Sequence, residues 1–224
     1  MDRLCICLVS FLSQLNTRQH LSIDEFIAVP RELLEPDSFQ ILRTAHKVID
    51  LLVSHRIDTP APIMEPEILD FTPGVVCLAK VFEKKANFSV VHWARRELGI
   101  SLPQYFNKPQ PGIKATVIPA IPGGSEIDLN MGRRGKWLPP GIGQSELACK
   151  ELSKARLPDN WDITEWRLLL TLWKKVREKR NEAAHTEIMD EASIREVKQT
   201  LQQMAESGLF EKFFYMKNEY RGGA

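Results

Sequence analysis

Cysteine, long apolar runs and net charge are all scarce in this chain. The few cysteines and the short apolar runs argue against a cysteine metal site, a disulfide framework and a membrane span. The four cysteines have neither the spacing of metal ligands nor a secretory framework, so we expect reduced, packing thiols: Cys5, Cys7, Cys77 and Cys149. The apolar run from Leu4 to Leu12 is far shorter than the roughly 20 residues of a membrane span. It lacks a small-residue cleavage signal, so we expect a buried or amphipathic helix there and a cytoplasmic protein.

The small net charge limits how the chain can contact nucleic acid. It has 224 residues with 30 Lys and Arg against 29 Asp and Glu, a net charge of +1. A protein that coats nucleic acid needs a broad basic surface, so any RNA contact must be local. The candidate RNA-binding residues are Lys174 and Arg177 in one basic run and Arg133, Arg134 and Lys136 in a turn.

A long amphipathic helix is predicted from Asp162 to about Ile188. Its apolar residues recur at spacings of three and four: Trp166, Leu169, Leu170, Trp173 and Val176. Asp162 and Glu165 have the spacing of a capping box. Arg177 and Arg180 continue the apolar stripe, so each must be paired or must face a cleft, an interface or an anionic ligand.

Helices are also predicted on both sides of this one. The segment from Phe71 to Leu98 starts with Thr72 and Pro73 in N-cap and first-turn positions. A closing helix is predicted from a capping box at Ser193 and Glu196 to Gly208. Towards the N-terminus, Ser22 with Glu25 has capping-box spacing, and Asp37 precedes another apolar helical pattern.

The stretch 99–143 is the least helical part, because it holds seven of the 14 prolines. Lys114 to Ile121 and Glu126 to Asn130 have the character of short strands around Pro122-Gly123-Gly124, which makes a β-hairpin plausible. Its glycines have no Walker spacing and no Gly-Lys-Ser/Thr ending, so a nucleotide-binding loop is disfavoured.

The hexapeptide Arg180-Asn181-Glu182-Ala183-Ala184-His185 places a permanent cation, an amide and an imidazole at the end of the long helix. An Arg-x4-His motif with a polar residue beside the arginine is typical of HEPN domains, and the sequence resembles that family. The resemblance covers roughly Phe71 to Phe214 and implies a mainly α fold, a HEPN-like helical bundle over 71–224. The irregular insertion at 99–143 is a departure from the family, and the N-terminal helical extension predicted at 1–70 lies outside the resemblance. Some HEPN toxins have a modifiable tyrosine two residues after the histidine, where this chain has Glu187.

The function that the resemblance implies is cleavage of RNA at a composite homodimer site, giving 2′,3′-cyclic phosphate and 5′-hydroxyl ends. The imidazole of His185 suits proton transfer, whereas the Arg180 guanidinium suits the charge that builds on phosphorus. By family analogy, Asn181 orients the nucleophile or the histidine. Arg180 lies roughly 140° around the helix from His185, so a second copy is needed to complete the site.

The expected partners are RNA, a second copy of the chain and, as a candidate, an antitoxin or activator protein, in a toxin or in an effector of antiphage defence or stress. No metal or cofactor is expected. Two alternatives stay open. The first is a non-catalytic HEPN-like module for dimerisation or for nucleotide or RNA binding, and the second is a helical adaptor in which the arginine and histidine are ordinary surface residues.

Overall fold

The computed structural model describes residues 27–58, 69–97, 141–185 and 188–221, with four two-residue strands between 117 and 137. Over these residues the chain is mainly helical, which confirms the helical bundle. A 3-10 helix at Arg31–Leu33 precedes six α-helices: α1 (Pro36–Asp58), α2 (Thr72–Glu97), α3 (Ile142–Leu152), α4 (Ile163–Ala184), α5 (Glu191–Glu206) and α6 (Leu209–Arg221). The run Leu4 to Leu12 and the pair Ser22 and Glu25 lie outside the described residues.

Helix α4 begins where its capping signal predicts. The Asp162 carboxylate accepts hydrogen bonds from the backbone N–H groups of Thr164 (2.7 Å) and Glu165 (2.8 Å), and the Glu165 carboxylate accepts one from Asp162 N (3.1 Å). The Glu165 N–H is the largest influence that lowers the pKa of Asp162. The helix ends at Ala184 with His185 as its C-cap, so it is shorter than the predicted helix to Ile188.

The predicted capping box at Ser193 and Glu196 is wrong, because α5 begins three residues earlier with Asp190 as its N-cap. The Asp190 carboxylate accepts hydrogen bonds from Ser193 N (2.8 Å) and Ser193 Oγ (2.6 Å). Both residue types cap helices well, and here the carboxylate takes the position. The predicted end at Gly208 is confirmed: this glycine has a φ of 69° and follows the C-cap Ser207.

Helix α2 is central and contacts each of the other five α-helices described. Its Phe82 and Trp93 take part in a cluster of edge-to-face aromatic rings that joins α2, α4 and α6. Ring centroids lie 5.1 Å apart for Phe82 and Trp173, 5.5 Å for Trp93 and Trp166, 5.1 Å for Trp161 and Trp166, and 5.7 Å for Trp161 and Phe213. This cluster is the apolar support of the first half of α4.

The segment 27–58 packs into the same core as the helices that follow residue 69. Ile27, Leu34, Leu42 and Ala45 are buried within one continuous apolar cluster with residues of α2, α4, α5 and α6. The division of the chain at residue 70 stays a prediction. The structure adds that residues on both sides of it bury apolar side chains together.

A buried group of three charges, which the sequence analysis did not predict, lies between this segment and the bundle. Glu35 accepts hydrogen bonds from Lys217 Nζ at 2.6 and 2.7 Å, while Lys85 Nζ lies 3.5 Å from Glu35 Oε1. Lys85 is only 1% exposed. Burial lowers its pKa to about 8, with the Glu35 charge opposing that shift and the Lys217 charge adding to it.

Four two-residue strands lie in the stretch predicted to be irregular. β1 (Val117–Ile118) pairs antiparallel with β2 (Ile127–Asp128), and β3 (Gly132–Arg133) pairs antiparallel with β4 (Lys136–Trp137). β1 and β2 fall within the two segments predicted as strands. The residues between them lie outside the described part, so the hairpin around Pro122 stays a prediction.

Candidate active site at the end of helix α4

The three predicted catalytic residues lie at the C-terminal end of α4. Arg180 and Asn181 are half-buried in its last two turns, and His185 is the exposed C-cap. The backbone leaves the helical conformation at His185, whose φ and ψ are −107° and 31°, while its N–H still donates to Glu182 O at 3.1 Å. The histidine is thus presented at the surface by the termination of the helix.

The guanidinium of Arg180 is loosely held. Its Nε lies 3.9 Å from Glu83 Oε2 on α2, and its Nη1 donates to Asn181 Oδ1 at 3.4 Å. The Arg180 side chain is 37% exposed and that of Glu83 is 17% exposed. Both contacts are longer than a strong charge-assisted hydrogen bond, so an anion can compete for the guanidinium.

Arg177 is held much more firmly. Its Nε donates to Glu146 Oε2 on α3 at 2.6 Å, and the Glu146 side chain is only 3% exposed. Lys150 binds the other oxygen of the same carboxylate. The expectation that this arginine needs a partner is met inside the protein, by a glutamate that the sequence analysis missed.

The other predicted RNA-binding residues lie in different places. Lys174 is exposed on α4, with its Nζ 3.8 Å from Glu178 Oε1. Arg133 and Lys136 are opposite each other in the β3 and β4 pair, and Arg134 between them lies outside the described residues. The described contacts therefore place Arg177, Arg180, Asn181 and His185 on one helix end, whereas the turn residues belong to a separate strand pair.

The chain after the motif is tied to the start of α2. Phe71 N donates to Met189 O at 2.8 Å, and the Asp70 carboxylate accepts hydrogen bonds from Thr72 N (2.9 Å) and Met189 N (3.3 Å). The contact with Thr72 is the main reason that the pKa of Asp70 is lowered. Sequence reasoning missed this tether, because it joins residues more than 100 positions apart. Glu187 lies outside the described residues.

An exposed apolar side chain stands beside the motif. Ile188, three residues after His185, is 61% exposed. Among the described residues, no three or more His, Cys, Asp or Glu side chains are grouped so that they could hold a metal ion. None of the described helices is both long enough and apolar enough to cross a membrane.

Comparisons with known proteins were made at three levels. No family model, no curated protein and no solved structure matched the chain.

Proposed function

We propose that this chain is a metal-independent endoribonuclease of the HEPN type, which cuts RNA to 2′,3′-cyclic phosphate and 5′-hydroxyl ends at a composite homodimer site. In this proposal it is a cytoplasmic toxin or an effector of antiphage defence or stress. The observation that carries it is the arrangement at the end of α4, where Arg180 is loosely held and His185 is exposed at the C-cap.

The contrast between two arginines supports a ligand-binding role for Arg180. Arg177 and Arg180 are three residues apart, yet only Arg177 makes a short bond to a buried carboxylate. A planar guanidinium that keeps part of its edge exposed can donate two parallel hydrogen bonds to a phosphate. Arg180 is therefore the better candidate of the two for the charge on phosphorus, and we assign Arg177 a mainly structural role.

The chemistry needs one proton transfer from the ribose 2′-hydroxyl and one to the leaving 5′-oxygen. The 2′-oxygen attacks phosphorus, the bond from phosphorus to the 5′-oxygen breaks, and no water enters this step. We assign proton transfer to His185 and stabilisation of the pentacoordinate phosphorane to Arg180. Asn181, in contact with Arg180, orients the reacting groups.

The first experiment incubates purified wild type, Arg180→Ala and His185→Ala with a labelled RNA pool in EDTA, and determines both the extent of cleavage and the chemistry of the ends. Wild type should give cyclic phosphate and 5′-hydroxyl ends. Each substitution should lower the rate by at least about a hundredfold, because each removes a group that acts in the transition state.

Arg195→Ala is the matched control, since Arg195 lies on α5 and pairs with Glu191 on the same helix. It should cleave like wild type, and all variants should keep a wild-type melting temperature. Complete inhibition by EDTA would disprove the metal-independent mechanism. Intact RNA with wild type, together with RNA binding that requires Arg180, would instead support the non-catalytic binding module.

A further inference from the structure

We propose, resting on the ribonuclease site proposed above, that Glu83 biases the specificity of that site by lowering the affinity of Arg180 for phosphate, so that a polyanionic ligand binds better than a single phosphate. Glu83 is on α2, far from the motif in sequence, and its carboxylate lies 3.9 Å from Arg180 Nε.

A carboxylate beside an arginine has two opposing effects on a bound anion. It can orient the guanidinium, which favours binding, and it can repel the anion, which disfavours binding. The first effect needs a short, directional hydrogen bond. The 3.9 Å contact between Glu83 and Arg180 is too long for one, whereas Arg177 and Glu146 make such a bond at 2.6 Å.

The repulsion does not need a short contact. In water-like surroundings a negative charge about 6 Å from a bound anion lowers the affinity for that anion roughly threefold, and it lowers it more in a lower dielectric. Glu83 is only 17% exposed, so solvent screens it less than a fully exposed carboxylate. Repulsion is therefore the larger effect at this site.

The neighbouring acidic side chains are engaged by other cations. Lys179 Nζ lies 2.9 Å from Glu182 and 3.4 Å from Glu196. Glu146 is held by Arg177 and Lys150. Among the ion pairs between described residues, Glu83 is therefore the carboxylate placed to act on Arg180.

The consequence is discrimination by charge. A single phosphate must overcome the repulsion of Glu83 with the help of Arg180 alone. A polynucleotide has neighbouring phosphates that contact further cations, such as the exposed Lys174 on the same helix, so a smaller share of its binding depends on Arg180 and the repulsion from Glu83 weakens it less. The site then favours a polynucleotide over inorganic phosphate and mononucleotides, which are abundant small anions.

The test measures binding and cleavage separately in wild type, Glu83→Gln, Arg180→Ala and the double variant. The binding probes are inorganic phosphate, followed through the arginine Nε–H signals in NMR, and a fluorescent oligonucleotide of 2′-deoxynucleotides, followed by anisotropy. That oligonucleotide has no 2′-hydroxyl and cannot be cleaved by the proposed reaction. Glu178→Gln is the matched control, because it removes one negative charge from an exposed position on α4 that is paired with Lys174 and Arg177.

We expect Glu83→Gln to bind phosphate at least about threefold more tightly than wild type, with a smaller gain for the oligonucleotide. The gain should vanish when Arg180 is also replaced, and Glu178→Gln should show less of it. Unchanged or weaker phosphate binding by Glu83→Gln would overturn the inference. So would a gain that persists without Arg180, an equal gain in Glu178→Gln, or a Glu83→Gln protein that binds neither probe.

The proposed function and this inference can fail separately. If Glu83→Gln binds phosphate more tightly than wild type but wild type leaves RNA intact, the inference stands and the ribonuclease is overturned. If wild type cleaves RNA but Glu83→Gln binds phosphate no more tightly than wild type, the ribonuclease stands and the inference is overturned.

Discussion

At the scale of the residue, charges on the inner faces of these helices differ in how well they are compensated. Glu146 has two cationic partners, Arg177 and Lys150. Lys85 shares a single carboxylate with Lys217 and is nearly fully buried. Burying a charge is costly unless it is well paired, so these sites should respond to mutation in opposite directions.

Replacing Arg177 with Ala should destabilise the protein by about 2 kcal/mol, because the buried Glu146 would lose its short hydrogen bond and keep only Lys150. Urea unfolding measures this change. Arg195→Ala is the control, as it removes a guanidinium from an exposed pair on α5 and should change the free energy of unfolding by no more than about 1 kcal/mol. Equal effects of the two substitutions would contradict a structural role for Arg177.

Replacing Lys85 with Met should stabilise the protein near pH 7, by about 1 to 3 kcal/mol, since it removes a buried cation and leaves Glu35 paired with Lys217. The pKa of Lys85 is about 8 in the folded protein, against an ordinary value of 10.5 for lysine. Between these values the unfolded chain binds the extra proton. Wild-type stability should therefore rise with pH from about 8 to 10.5, whereas below pH 8 the penalty is fully present.

Urea unfolding of wild type and Lys85→Met at pH 7 and pH 9.5 tests whether wild-type stability rises with pH. The difference in stability between the two proteins should shrink at the higher pH. Lys80→Met, which changes an exposed position on the same helix, should have the same pH dependence of stability as wild type. A Lys85→Met protein less stable than wild type at pH 7 would show that the pairing with Glu35 outweighs the cost of burial.

At the scale of the element, the start of α5 is decided by one side chain. Asp190→Ala should cost about 1 kcal/mol, because it removes the acceptor of the Ser193 N–H and hydroxyl bonds. Ser193→Ala should cost less, since the backbone bond to Asp190 remains. Thermal unfolding distinguishes the two, and a larger effect of Ser193→Ala would contradict the assigned cap.

Local signals explain which elements the sequence could predict. The capping box at Asp162, the glycine at 208 and the apolar spacing of α4 depend on residues within a few positions, and each was confirmed. The start of α5 was misplaced because Asp190 and Ser193 are both good caps, and the sequence alone does not rank them. Glu83, Glu146 and the tether from Asp70 depend on contacts between helices distant in sequence, which periodicity cannot reveal.

At the scale of the whole molecule, the proposed site needs two copies of the chain. We predict a dimer in light scattering coupled to size-exclusion chromatography at micromolar concentration. Ile188→Asp should weaken the dimer and lower RNA cleavage at least tenfold, because it places a charge on the exposed apolar residue beside the motif. The fold should persist, since Ile188 is outside the core.

Ile163→Asp is the matched control. Ile163 is also exposed and begins α4, about 30 Å from the motif by the rise of a 22-residue helix. It should leave both the dimer and the cleavage unchanged. A wild-type protein that stays monomeric while cleaving RNA would show that one chain suffices and that the composite site is wrong.

The four tryptophans of the aromatic cluster have a practical consequence for such measurements. Trp93, Trp161, Trp166 and Trp173 lie in α2, in the first half of α4 or just before it, within edge-to-face contact of one another or of Phe82 and Phe213. Their emission and near-ultraviolet circular dichroism should therefore report the loss of core packing as a single signal. Arg180 is seven residues beyond Trp173, roughly 10 Å along the axis, so anion binding there should barely alter that signal.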